Sequence, residues 1–186
     1  MKSYSVKDLM VPLSEYATVT EDATLYDAVL ALEEAQEKYE DKHTRYSHRA
    51  ILVLGEDGNV VGKLSQLDVL KALEPKYEGM VQGEGSHRYG FSKDFMESTF
   101  EDYHFFANPL DDICRKAGEQ PVKIFMHAPS EGEYVSEDEP LEAAIHQLVM
   151  GQHQSLLVTR DEKIVGILRL TDVFAAVFHK MKECFI

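Results

Sequence analysis

Two short segments hold residues whose types and spacing could recognise an anion or a sugar. In GKLSQLD, Ser65 and Asp68 fall where a helix should start, and there unpaired backbone N–H groups and the positive end of the helix dipole favour negative charge. A Ser hydroxyl so placed can donate to a phosphate, and an Asp carboxylate can accept from the two hydroxyls of a ribose. Gly62, with no side chain, allows a ligand or a neighbouring backbone to come close. The same Ser-x-x-Asp spacing is also that of a capping box, which begins a helix with no ligand at all. In GILRLTD, Gly166 and Asp172 are kept, but Arg169 stands in the place of the hydroxyl residue. Arg169 cannot cap a helix as Ser does, which leaves Thr171 or Asp172 for that task. Its guanidinium could reach a phosphate with a bidentate fork, or its bulk could fill the pocket and pair with a nearby acid. The two segments are therefore not equivalent.

Composition narrows the chemistry. The chain has 186 residues, 44% of them apolar, and a formal charge of -14, enough for a real core in one domain or two small halves. So acidic a chain is a poor nucleic-acid binder, since phosphate backbones are held by clustered Lys and Arg. An anionic ligand must find a local basic pocket. Cys114 and Cys184 are far apart without metal-type spacing, as expected of two reduced thiols in a cytoplasmic protein. No signal peptide and no long apolar run point to secretion or a membrane. Eight scattered histidines form no His-Glu-x-x-His or Cys/His cluster, so no metal site is expected. No nucleophile elbow, Walker A segment or acid/base pair supports catalysis.

The two segments belong to a duplication. VKDLM at Val6–Met10, followed by ATVTEDATLYDAV, returns as VKIFM at Val122–Met126, followed by EYVSEDEPLEAAI, at an offset of 116 residues. VVGKLSQLDVLKAL from Val60 returns as IVGILRLTDVFAAV from Ile164 at an offset of 104. Leu25, Ala28, Val29 and Leu32 share a helical face, and the offset maps them onto Leu141, Ala144, Ile145 and Leu148. The acids Glu21-Asp22 and Glu137-Asp138 should cap these helices, with short strands before them near residues 17–19 and 133–135. AILVL and SLLVT read as strands, each turning through GEDG or RDEK into a second strand. A closing helix follows, with Leu170, Val173, Phe174, Val177, Phe178 and Met181 on one stripe. The unit is β-α-β-β-α, twice, an α/β (α+β) fold about a pseudo-two-fold axis. The first copy carries 12 extra residues near EEAQEKYEDKHT, which most simply lengthen its first helix into solvent.

Boundaries follow as residues 1–78 for the first copy, 79–121 for an insert and 122–186 for the second copy. The insert opens on MVQGEGSHRYG, too irregular for a phosphate-cradling loop. Phe91, Phe95, Phe100 and Tyr103 then lie along one or two short helices. These aromatics suit a cap packed on the module, with a lid or a subunit contact as the alternative.

The order of elements, with a Gly-x-x-Ser/Thr-x-x-Asp-like segment opening each last helix, resembles the CBS domain family, and the pair resembles a tandem CBS (Bateman) module. The resemblance covers Val6–Leu73 and Val122–Lys182. It implies a regulatory module that binds an adenosine-containing ligand, AMP, ADP, ATP or S-adenosylmethionine, in the clefts between repeats. His48 and Arg49 in SHRAILVL resemble the His-Arg pair before the matching strand in the adenylate-sensing subunit of AMP-activated protein kinase, where the His helps hold phosphates. His153 in GQHQSLLV stands at a comparable place. A surface histidine is the default for both, and a phosphate contact the alternative. The resemblance places the adenine base near Thr18, Val19 and Ile51 in one copy and Val135 and Leu156 in the other, which are equally good core positions.

The function expected is a cytoplasmic adenine-nucleotide sensor, with no effector domain attached, acting in trans on a regulated protein and forming a homodimer as the family commonly does. A ligand-free dimerisation or scaffold module is the rival.

Overall fold

Local signals account for each element in turn. The computed structural model describes residues 4–40, 48–77 and 92–185. A two-residue strand, β1 (Val11–Pro12), precedes β2 (Thr18–Thr20). Thr24 and Asp27 then start α1 (Leu25–Glu40) with a reciprocal cap, Thr24 Oγ1 donating to Asp27 Oδ2 at 2.7 Å and Asp27 N to Thr24 Oγ1 at 3.1 Å. The apolar run AILVL, with β-branched Ile51 and Val53, forms β3 (Ala50–Leu54), which turns at Gly58 (φ 75°) into β4 (Val60–Ser65), and α2 (Gln66–Ala72) follows directly. The insert supplies α3 (Lys93–Asp102) and α4 (Leu110–Gly118). The second copy runs β5 (Tyr134–Ser136), α5 (Leu141–Gly151), β6 (Ser155–Arg160), β7 (Lys163–Arg169) and α6 (Leu170–Cys184). MVQGEGSHRYG, Phe91 and the tail of the helix extension lie outside the described residues.

One sheet has the order β2-β3-β4 and the other β1-β7-β6-β5. In each copy the first strand pairs parallel to the second, and the second antiparallel to the third. Strand alternation separates two cores from a seam. Ile51, Val53 and Leu64 pack beneath α1, Leu156, Val158 and Leu168 pack beneath α5 and α6, and Leu52, Leu157, Ile167, Val11 and Tyr16 meet in a third cluster between the sheets.

The leading segments are exchanged. Val6, fully buried, sits in the core of the second copy and donates its N–H to Glu139 O at 3.0 Å, while Val122, also fully buried, sits in the core of the first and donates to Ala23 O at 2.9 Å. The two repeats therefore complete one another about the pseudo-two-fold axis.

Several expectations are corrected. Glu21-Asp22 and Glu137-Asp138 do not cap the helices. Asp138 pairs with Lys7 at 2.7 Å and Asp22 with Lys123 at 3.5 Å, so each acid holds the other copy's leading segment, while Glu137 pairs with Arg160. The strands before the helices lie one residue later than expected. Val29 is 42% exposed because the buried face of α1 runs through Leu25, Ala28, Leu32 and Ala35. On α6, Val173 is buried and Leu170 and Val177 pack on the core, but Phe174, Phe178 and Met181 face outward. In the insert, Phe95, Phe100 and Tyr103 are exposed, whereas Phe105 is buried and stacks on Tyr77 at 4.7 Å. Glu74 accepts from Phe106 N at 3.0 Å, and Lys76 donates to the carbonyls of Tyr103 and His104, so the insert is fastened to the end of the first copy.

Candidate functional site

At the start of α2, Ser65 N and Oγ donate to Asp68 Oδ2 at 2.9 and 2.6 Å, and Asp68 N donates back to Ser65 Oγ at 3.2 Å. This capping box forms without a ligand. Asp68 Oδ2 also faces His127 Nδ1 at 3.7 Å, and Oδ1 faces Lys71 Nζ at 3.5 Å. Burial pushes the Asp68 carboxyl up, but the neighbouring His127 ring and the hydrogen bonds from Ser65 outweigh it and hold the group well below the usual carboxylate range. Ionised at neutral pH, it can only accept hydrogen bonds.

His127 arrives on the exchanged segment, its backbone pairing with that of Lys63 in both directions at 3.0 and 3.1 Å. Its Nε2 stands 3.9 Å from Glu133 Oε2, and Glu133 forms a nearly buried ion pair with Lys63 Nζ. Burial alone would raise the Glu133 carboxyl, yet the Lys63 ammonium and Ser130 N–H lower it. Beside this network opens a cleft of about 720 Å³ between the first copy, the exchanged segment at Phe125, Met126 and His127, and the insert at Asn108, Lys116 and Gln120. Lys71, Lys76 and Lys116 line it against the carboxylates of Asp68 and Glu74.

The matching cleft in the second copy, about 380 Å³, is lined by Asp172 and the other exchanged segment, Asp8 to Pro12. Its charge is opposite, with Asp8, Glu15, Asp172 and Glu183 against Lys180. Arg169, only 4% exposed, caps nothing. Its guanidinium grips Asp172 with two parallel bonds, Nη2 to Oδ1 at 2.7 Å and Nε to Oδ2 at 2.5 Å. Thr171 lies in the first turn of α6 beside it. His48 lies within 3.4 Å of Arg169 and packs edge-on against Tyr16 at 4.4 Å.

The sites are composites of both copies. The expectation of a surface His48 is corrected, because the ring is fully buried and belongs with Arg169 and Asp172 of the other copy. Its backbone carbonyl accepts from Gln36, on the lengthened part of α1, at 2.8 Å. Burial first, then the Arg169 charge, lower the imidazole to about 4, and burial pushes the Tyr16 phenol up to about 12. Arg49 points to solvent while its carbonyl accepts from Gln66 N at 3.2 Å. His153 is half-buried and packs over Gly151. Gly62 and Gly166 admit protein. A Cβ on Gly62 would clash with Met126 Sδ, and one on Gly166 would lie 2.5 Å from the Val11 carbonyl. Ile51, Leu156 and Val135 lie in the two cores, Val19 packs against the first of them, and Thr18 pairs with Leu52 in the first sheet.

Sequence reasoning missed Lys63, Glu133, His127 and Lys116. A signal existed. The two offsets match Lys63 and Glu133 with Ile167 and Ala17, and a charged pair replacing an apolar one across a duplication marks a changed contact.

Two β-α-β-β-α repeats with exchanged leading segments and a motif aspartate in each inter-repeat cleft define a paired-repeat module. The CBS domain family model matches residues 6–75 and 125–179, and the chain belongs to the CBS domain family. No curated protein matches it. Among solved structures, CBSX2 from Arabidopsis thaliana is 20% identical over 97% of this chain and 99% of its own, with a TM-score of 0.60. CBSX2 in complex with AMP aligns over 96% and 98% at 20% identity and a TM-score of 0.57. A CBS domain-containing protein of Kribbella flavida aligns over 94% and 98% at 15% identity and a TM-score of 0.59. The tandem CBS fold is thereby shown. Among the described residues no helix is long and apolar enough to cross a membrane and no group of His, Cys, Asp and Glu is placed to hold a metal.

Proposed function

We propose that this chain is a cytoplasmic regulatory module, homodimeric in solution, that binds an adenine nucleotide in the cleft beside Asp68 and signals its occupancy to a partner protein in trans. The observation that carries the reading is the charge of that cleft: in a chain of formal charge -14, three lysines line a space where two carboxylates stand. Lys71, Lys76 and Lys116 suit phosphate oxygens, and Asp68 suits the ribose hydroxyls. The apolar wall of Ile124, Phe125 and Met126 offers the base a surface of matching polarity. CBSX2, of the same fold, has been crystallised with AMP, which puts AMP first among the candidates. Signalling would be a population shift, since a ligand between the repeats and the insert favours one arrangement by its differential affinity.

A thermal-shift screen with AMP, ADP, ATP and S-adenosylmethionine tests this. A ligand at a hundred times its Kd stabilises the native state by about 2.7 kcal/mol, or about 5–10 °C for a chain of this size. Asp68→Asn should abolish the shift and Asp172→Asn should leave it. No shift with any of the four at millimolar concentration would leave the ligand-free scaffold as the better reading.

A further inference from the structure

Copy two keeps the motif aspartate but gives it an arginine in place of the capping serine. Both oxygens of Asp172 are taken by Nε and Nη2 of Arg169, on a side chain only 4% exposed. Two parallel N–H donors on one planar group meet a carboxylate as two neighbouring hydroxyls of a ribose would. The guanidinium therefore stands in for the sugar's donors. It is fixed from behind as well, lying 3.4 Å from the buried His48 ring, which Tyr16 supports edge-on. A ligand that displaced Arg169 would leave a buried cation without its counter-ion, which is strongly unfavourable. The cleft in front of Asp172 is also acidic, with Asp8, Glu15 and Glu183 facing Lys180.

We infer that Arg169 is a built-in substitute for the sugar on the motif aspartate of the second CBS cleft, so that the chain holds one nucleotide rather than two, and that removing it opens a second site. The inference rests on the nucleotide reading of the first cleft only for its expected count. Pseudo-symmetry says what removal should do. Arg169→Ser would restore Ser-x-x-Asp, which in the first copy forms the reciprocal Ser65–Asp68 cap, so the variant has a way to start α6 without the ion pair.

Isothermal titration with AMP, and separately with ATP, decides the matter on the whole chain. The wild type should bind one equivalent per chain and Arg169→Ser two, while Arg169→Ser combined with Asp172→Asn should return to one. Two equivalents in the wild type, or one in both wild type and a natively folded Arg169→Ser, would overturn the inference and leave the first-cleft reading standing. No binding by the wild type but one equivalent by Arg169→Ser would uphold Arg169 as the substitute and sink the first-cleft reading. No binding by either would sink both. Should Arg169→Ser fail to fold, the wild type itself provides the test by NMR: AMP should shift the ring resonances of His127 and leave those of His48 in place, and a shifted His48 would overturn the inference.

Discussion

His48 shows how one residue's chemistry is set by what docks on it. Its ring is fully buried beside a guanidinium and a phenol, and its pKa falls to about 4 because both burial and the Arg169 charge disfavour the imidazolium. The groups around it are Arg169, with Asp172 behind, Tyr16 and the Glu15 backbone. The ordinary value is about 6.5, so on acidification the unfolded chain takes up the proton first. The stability at stake is therefore whole above pH 6.5 and drains away as the pH falls towards 4, by up to about 3 kcal/mol. Urea unfolding at pH 7 and pH 4.5 should show wild type losing more stability than His48→Gln, and equal losses would refute the buried neutral histidine. The Ser65–Asp68 cap was legible at this scale, because a three-residue spacing places both partners on one turn. The burial of His48 was not, because Arg169 lies 121 residues away.

At the scale of elements, the glycines of the two third strands show how alike and how different the copies are. Each lies under a methionine of an exchanged segment, but Gly166 also touches main chain, its Cβ position lying 2.5 Å from the Val11 carbonyl, whereas Gly62 meets only the flexible Met126 side chain this closely. Gly166→Ala should cost about 1–3 kcal/mol and Gly62→Ala less, measured by denaturant midpoints. The reverse order would contradict the exchange. Helices, strands and hairpins were readable from periodicity and turn residues. Their starts were not, where Thr24 and Asp27 rather than Glu21-Asp22 cap α1. Nor could the outward face of α6 be read, since Phe174 and Phe178 fit an apolar stripe as well as core residues do.

For the whole molecule, the join between repeats is asymmetric. Lys63 and Glu133 pair across it with side chains about a tenth exposed, where the other copy places Ile167 and Ala17 at the matching positions. Lys63→Ala alone leaves a nearly buried carboxylate without its cation and should cost about 3–5 kcal/mol. Lys63→Ile with Glu133→Ala, which copies the apolar residues at the matching positions, should come back to within about 2 kcal/mol of wild type. A double variant as unstable as the single would show that the pair stabilises for another reason. The sequence by itself determined the duplication, the β-α-β-β-α order, the family and the inequality of the two motif segments, because these are written in local spacing and in offsets within one chain. Only the tertiary structure decided that the leading segments are exchanged, that Lys63 meets Glu133 across 70 residues, that the insert walls one cleft, and that Arg169 turns onto Asp172. Each of those outcomes depends on which surfaces dock and on the charges that become buried when they do, and neither quantity is a property of any local stretch of sequence.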